Sequence, residues 1–294
     1  MPKVSVIIPA YNMAEYTVQT IESVFNQTFR DFEIIVVDDG SSDGTGEVLK
    51  KKYGDQIRYY YKSNSGACSA RNLGARYAQG QYFAFLDCDD LWLPEKLDKS
   101  LQPFIDNQKL GLVHTGCYLT NKAGVVTGRV VGRKPSGNVW KRLLYNNFII
   151  NPTVLIKREC FEKVGGFDET IFYPADWDLW LRISEQYLTK YIREPLVKYR
   201  VHSAHLKNDP RQLLREGSVV VEKAFARNKE LPFWLKRLAI SNLYLWTSQY
   251  YYSGRKYGSC LMCILRALAI FPMNIRVPYF MLKIVLGNTL NNKT

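Results

Sequence analysis

At 294 residues, with 47% hydrophobic and 14% aromatic content, the chain can hold one large α/β domain plus an appendage and is too apolar to be disordered. Its net charge of +13 is unevenly placed: residues 1–204 carry 26 Lys+Arg against 23 Asp+Glu, and residues 205–294 carry 14 against 4. No signal-peptide core and no apolar run near the ~18–20 residues of a membrane span can be read in it, so a cytoplasmic protein that does not cross the membrane is expected.

Lys3–Ile8 is a β-branched run and reads as a strand, ending in the turn Pro9-Ala10-Tyr11-Asn12. Thr17–Asn26 has helical spacing, with Val18, Ile21, Val24 and Phe25 on one face. A second apolar strand, Phe32–Val37, breaks into Asp38-Asp39-Gly40-Ser41-Ser42-Asp43-Gly44-Thr45, a loop dense in acids, glycine and hydroxyls. Ile57–Tyr61 is a third short strand. Asn64-Ser65-Gly66-Ala67 opens a helix over Cys68–Gln79 that carries Arg71 and Asn72. Tyr82–Leu86 is a fourth strand, and Asp87-Cys88-Asp89-Asp90 crowds three carboxylates at its end. Short apolar runs alternating with helices predict an α/β fold with a central, mostly parallel sheet flanked by helices.

Such sheets bind ligands beyond the carboxyl ends of their strands. Asn12, Asp38, Asp39, Asp87, Asp89 and Asp90 all fall on that edge. Three acids so close repel one another unless a divalent cation holds them. A solvated acidic turn is the plainer reading of that stretch taken alone. The chain has no G-x-G-x-x-G after the first strand and no G-x-x-x-x-G-K-[ST], so a diphosphate would be held through a metal and Arg71.

In the second half, Leu93-Pro94-Glu95 starts a helix, Leu112–Leu119 is a strand, and residues 121–138 form a glycine-rich basic hairpin or mobile loop. Asn151–Lys157 is a strand and Arg158–Val164 a helix. Asp176-Trp177-Asp178-Leu179-Trp180-Leu181-Arg182 opens a further helix with an acid at its start. Tyr191–Tyr199 is a strand that runs into Arg200-Val201-His202.

Residues 211–294 differ in character. Helical patterns fill Gln212–Asn228, Pro232–Ser253 and Tyr257–Phe271. Tyr250–Pro272 resembles one tetratricopeptide-type helix pair. Arg276–Leu286 is apolar with basic flanks, suited either to a membrane interface or to docking as a core helix. The expected division is therefore 1–210 for the α/β domain and 211–294 for a basic helical region. Cys260 and Cys263 form a C-x-x-C pair with no second pair or nearby His, so core-filling thiols are expected rather than zinc.

The ordered segments VSVIIPAYN, VVDDGSSDGT, NSGACSARNLGA, FAFLDCDD, TVLIKRECFEKVGGFDE, ADWDLWLR and YRVH together resemble a family-2 inverting glycosyltransferase of the GT-A fold, over roughly residues 1–205. The resemblance implies a nucleotide-sugar donor of the UDP-sugar kind and inversion at the anomeric carbon. It places Pro9, Ala10, Tyr11 and Asn12 at the nucleoside, Asp39 with Asp38 beside it at uracil or ribose, and Asn64 and Arg71 along the donor. It makes Asp87-Cys88-Asp89 the DxD triplet: Asp87 toward the ribose, Cys88 a spacer, and Asp89 on Mn2+ or Mg2+. His202 becomes a further metal or diphosphate ligand, and Asp176 the general base. The family often has Glu-Asp before the Trp; Ala175-Asp176 here is a departure that bears on acceptor positioning.

The chemistry needs a metal to stabilise the leaving diphosphate, a carboxylate to take the acceptor proton, and alignment of the two substrates. Asp176 also suits a helix N-cap. Asp178 is a rival base; Asp176 is preferred because the chain first reaches the cleft there. Trp177, Trp180 and Tyr173 offer an aromatic belt for a sugar face, although Trp180 and Leu181 also recur at core spacing. Expected partners are the donor, a glycan or lipid-linked acceptor in cell-surface or capsular polysaccharide synthesis, and an anionic membrane at its inner face for the basic tail; nucleic acid is not expected. The rival is a nucleotide-sugar or nucleic-acid binding protein without transferase activity, which salt-dependent DNA binding would favour.

Overall fold

The structure is a computed structural model that describes residues 1–130, 134–201 and 209–285. They divide into two compact units, one of residues 1–140 and 148–201, the other of residues 141–147 and those from 209 onward.

The first unit opens with β1 (Val4–Ala10), α1 (Ala14–Phe25), β2 (Phe32–Asp38), α2 (Thr45–Tyr53), β3 (Arg58–Tyr61), α3 (Ala67–Tyr77) and β4 (Tyr82–Phe85). All seven residues of β1 are buried, because helices cover both faces of the sheet. The strands β3, β2, β1 and β4 lie side by side and parallel. Ala10 pairs with Asp38 across β1 and β2, so the loops after these strands start level with each other. From β1 the chain runs outward to β2 and β3, then returns to place β4 on the other side of β1. The connections therefore reverse direction between β1 and β4, which leaves a crevice beyond their carboxyl ends.

Next come β5 (Leu91–Trp92), α4 (Lys96–Asp106), β6 (Leu110–Thr120) and β7 (Val126–Val130). The short α5 (Trp140–Leu143) is followed by β8 (Val154–Lys157), α6 (Arg158–Lys163), α7 (Ala175–Gln186) and β9 (Leu188–Arg200). The sheet continues from β4 through β8, β6 and β9 to β5, with β7 folded onto β6 as a hairpin. In this half only β6 and β9 pair in parallel. α4 starts at Lys96, later than Leu93-Pro94 predicts, because Leu91 and Trp92 are drawn into pairing with β9. Lys96 is fully buried, its Nζ donating to the Val154 carbonyl at 3.3 Å and lying 4.6 Å from the Trp92 ring centroid; burial lowers its ammonium pKa to about 7.

The second unit holds α8 (Pro210–Arg227), α9 (Phe233–Ser253), α10 (Tyr257–Ile270) and α11 (Arg276–Val285). Leu245, Cys260, Ile264, Ala267 and Val277 form its apolar core, so Cys260 and Cys263 are buried packing thiols. Asn274 donates to Ser241 Oγ and Asn242 Oδ1, and Asn242 donates to the Tyr145 carbonyl at 2.8 Å. That last bond joins the 141–147 segment to α9. Among the described residues no helix is long and apolar enough to cross a membrane.

Gly74 governs how closely α3 approaches the sheet. A Cβ there would lie 2.5 Å from Ile7 Cγ2 and 3.3 Å from Val37 Cγ2. Gly74→Ala is predicted to push α3 outward and to lower unfolding stability by ~1–3 kcal/mol, read as a reduced urea midpoint.

Candidate functional site

The loops at the carboxyl edge are stitched to one another. Asn12 follows β1 with φ 50°, a left-handed conformation that asparagine tolerates. Its backbone N–H donates to Ser41 Oγ at 2.9 Å, and its Oδ1 accepts from the Ser42 N–H at 2.8 Å. Asp43 accepts from the N–H groups of Ala14 and Thr45, at 3.2 and 3.0 Å, which binds the same loop to the start of α1. Tyr11, 49% exposed, stands at the rim beside Pro9 and Ala10, which are buried in β1.

Asp39 links the ends of β2 and β3. Its Oδ1 accepts from Lys62 Nζ at 2.6 Å and the Ser65 N–H at 3.0 Å, and its Oδ2 accepts from the Gly66 N–H at 2.7 Å. Asp38, expected beside Asp39 at uracil or ribose, already has partners of its own. It is buried, and its two oxygens accept from the Ser41 N–H at 2.7 Å and the Tyr59 hydroxyl at 2.6 Å. Asp38 therefore shapes the loop. Asn64 is exposed, and its backbone passes so near Gly40 that a Cβ on Gly40 would lie 2.8 Å from the Asn64 nitrogen.

Beyond β4 the acids separate by partner. Asp87 Oδ1 accepts from Arg71 Nη2 at 2.5 Å and from Asn151 Nδ2 at 3.2 Å. Asp89 is buried. Asp90 is fully buried: its Oδ1 accepts from the Arg200 N–H at 2.7 Å, while its Oδ2 has no partner. Burial, with Asp89 and Asp87 nearby, raises its pKa well above the usual carboxylate range. Thr20 Oγ1 donates to the carbonyls of Cys88 and Asp90 and fastens this turn to α1. Burial and the same acids push the Cys88 thiol up to about 12, so it is no nucleophile at neutral pH.

Asp176 lies in the first turn of α7, its Oδ1 accepting from the Trp177 N–H at 2.7 Å. Burial raises its pKa to about 6; the Trp177 N–H and the positive charge of Arg71 oppose the rise, and Asp87 adds to it. Asp176, Arg71 and Asp87 thus feel one another's charge. The rival acid, Asp178, is buried and paired with Arg182 at 2.7 Å.

The aromatic belt differs from expectation. Trp177 and Trp180 are 3% and 0% exposed, and Trp180 packs edge-on to Phe167. The ring at the surface is Phe172, 60% exposed, lying over Gly66 and edge-on to Tyr173. Lys62, Asn151 and Phe172 were not singled out from sequence. Lys62 was findable, since it directly follows a strand that ends on the same edge. His202 lies outside the described residues.

Residues 5–167 match the sequence model of Glycosyl transferase family 2. An uncharacterized glycosyltransferase of Rickettsia typhi is 38% identical over 227 residues, which are 73% of this chain and 69% of that protein. A Bacillus subtilis glycosyltransferase named for teichuronic acid biosynthesis, TuaG, is 35% identical over 204 residues, 68% of this chain and 79% of its own. Among solved structures, Staphylococcus aureus TarS 1–349 in complex with UDP-GlcNAc superposes with a TM-score of 0.67 at 18% identity, covering 96% of this chain and 87% of that one. The fold is that of GT-A transferases.

Removing the Tyr59 hydroxyl should leave Asp38 Oδ2 buried without its donor. Tyr59→Phe is expected to lower stability by ~1–3 kcal/mol in chemical denaturation, with most of the loss abolished when Asp38→Asn is combined with it.

Proposed function

The chain belongs to glycosyl transferase family 2, and from that footing we propose that it moves a sugar, with inversion, from a UDP-sugar to a hydroxyl of a cell-surface or capsular glycan or its lipid-linked precursor. The observation that carries the reading is Asp176. A carboxylate with its pKa raised to about 6 stands at the strand edge within the electrostatic reach of Arg71 and Asp87. Such a group is ionised at neutral pH yet basic enough to take a proton from an attacking hydroxyl. The UDP-GlcNAc held by TarS and the naming of the Bacillus relative support the donor and the acceptor class.

Within this proposal Pro9, Ala10, Tyr11 and Asn12 border the nucleoside. Asp39, Lys62 and Asn64 form the neighbouring wall, and Arg71 and Asp87 face the donor's ribose and diphosphate. Asp178 is set aside as base, because its charge is already paired with Arg182. Phe172 and Tyr173 replace the tryptophans as the aromatic face offered to a sugar.

Among the described residues no three His, Cys, Asp or Glu side chains converge to hold a cation alone. The donor set nevertheless fits Mg2+ or Mn2+: Asp87 and Asp89 supply hard carboxylate oxygens, Asp90 Oδ2 is a buried polar atom without a partner, and such ions are completed by substrate phosphates and water. Asp89 is the proposed ligand, and the resemblance adds His202, from the separate Arg200-Val201-His202 segment, as a second. The ion would neutralise charge on the departing nucleoside diphosphate. Arg71 would hold the same diphosphate from the α3 side, and Asp176 would take the acceptor's proton. The basic residues beyond 205 are proposed to meet the anionic inner face of the membrane.

A screen of nucleotide sugars for Mn2+- or Mg2+-dependent hydrolysis tests the donor without an acceptor; release of UDP from no UDP-sugar would refute the donor assignment. Asp176→Asn is predicted to reduce turnover ~10²–10⁴-fold while donor affinity holds. The base must be ionised, so the wild-type rate should climb as pH rises through about 6 and level off above it, and this acid limb should vanish in Asp176→Asn. Asp89→Ala should weaken metal-promoted UDP binding in calorimetry, and an unchanged affinity would remove Asp89 from the metal site.

A further inference from the structure

The second unit contains a pocket of about 440 Å³ walled by α8, α9 and α10. Arg211 and Arg215, one helical turn apart on α8, face it together with Arg266 from α10. Ser218, Ser259, Tyr244 and Tyr251 also line it, with Leu214, Met262 and Cys263 as its apolar part. Among the described residues no carboxylate lines the pocket. The nearby acids of α8 are engaged elsewhere: Glu216 accepts from Gln212 at 2.7 Å, and Glu222 pairs with Lys236 at 2.6 Å. Among the described residues no ion pair joins an acid to any of the three arginines.

Three guanidinium groups around one cavity repel one another, and an anion inside it reverses that repulsion. Their planar, forked donors match the oxygens of a phosphate group. The surroundings narrow the source of that phosphate. Tyr257, Leu261, Leu265 and Leu268 recur along one outward face of α10 and are all exposed, and Met262, also exposed, adjoins both this stripe and the pocket. A basic pocket beside an exposed apolar stripe suits a molecule that is anionic at one end and apolar at the other.

We propose that the α8–α9–α10 pocket binds the phosphate of an anionic phospholipid headgroup while the α10 stripe enters the acyl boundary of the same leaflet. This deepens the membrane-contact reading of the basic tail and is independent of the transfer reaction. It makes that contact a defined site and not a diffuse attraction between a cationic surface and an anionic one.

The test is cosedimentation of the full chain with phosphatidylglycerol or phosphatidylcholine vesicles. It compares wild type, Arg211→Gln/Arg215→Gln/Arg266→Gln, and a charge-matched control, Lys51→Gln/Lys109→Gln/Lys229→Gln. Wild type should prefer phosphatidylglycerol, the arginine variant should bind about tenfold or more weakly, and the control should stay near wild type. Leu261→Gln/Leu265→Gln, which leaves the pocket's charges in place, should also lose vesicle binding. Thermal shift with inorganic phosphate forms the second arm. Stabilisation by phosphate without vesicle binding would overturn the lipid assignment in favour of a soluble phosphate ligand. Equal losses in the arginine variant and the control would overturn the pocket while leaving general membrane attraction standing; no binding of wild type to either vesicle would overturn both. All variants should keep wild-type donor hydrolysis, so a failure of the donor screen would count against the transferase reading alone.

Discussion

The ion pair between Arg71 and Asp87 is the contact on which the site's arrangement depends. It spans 2.5 Å, and both side chains are mostly sheltered from water, at 13% and 27% exposure. Arg71 comes from α3, Asp87 from the end of β4, and Asn151, just ahead of β8, donates to the same carboxylate oxygen. One pair thus aligns three separate parts of the chain. Its charges also reach Asp176, where Arg71 favours the ionised form and Asp87 opposes it. Burial shifts that balance upward, to a pKa of about 6.

The acids after β4 illustrate how one fold accommodates neighbouring like charges. Asp87 is compensated by a cation, whereas Asp90 is turned inward to a backbone N–H and held toward its neutral form. Around them the loops form a braced rim: Asn12 and Asp43 tie the β2 loop to the start of α1, and Asp39 ties it to the start of α3. A rim braced by side chains needs little reorganisation when a ligand arrives, because its polar groups are already oriented.

How much of this could be read from sequence follows from the range of the interactions concerned. The parallel half of the sheet was legible because each strand is a short β-branched run with its own turn signal, as in Lys3–Ile8 and Phe32–Val37. The acids at the strand ends were legible because parallel strands put all their C-termini on one edge. Partnership was not. Nothing local tells Asp38, which accepts from Tyr59, apart from Asp39, which braces the loop ahead of α3. Trp177 shares helical spacing with Trp180, Leu181 and Ser184, all of them buried, so core spacing was a better guide to it than the idea of an aromatic belt. Lys96 looks like a solvated helix residue until the pairing of β5 with β9 encloses it. Asn151 reaches Asp87 from 64 residues away, a distance no local pattern bridges.

The hydrogen bond from Asn242 to the Tyr145 carbonyl has a consequence for how the chain can be divided. Residues 141–147 are an excursion: the polypeptide leaves the first unit, contributes seven residues to the second, and returns before departing for good. Asn146 belongs to the same excursion and accepts from Arg276 at the start of α11. A cut near residue 210 therefore does not release a self-sufficient fragment. It strands a short loop whose acceptors were matched by helices some hundred residues downstream, and it leaves those helices with unanswered donors. Gene fusions, domain swaps and limited proteolysis that treat the two halves as beads on a string would all meet this splice, because the units are threaded through each other's sequence.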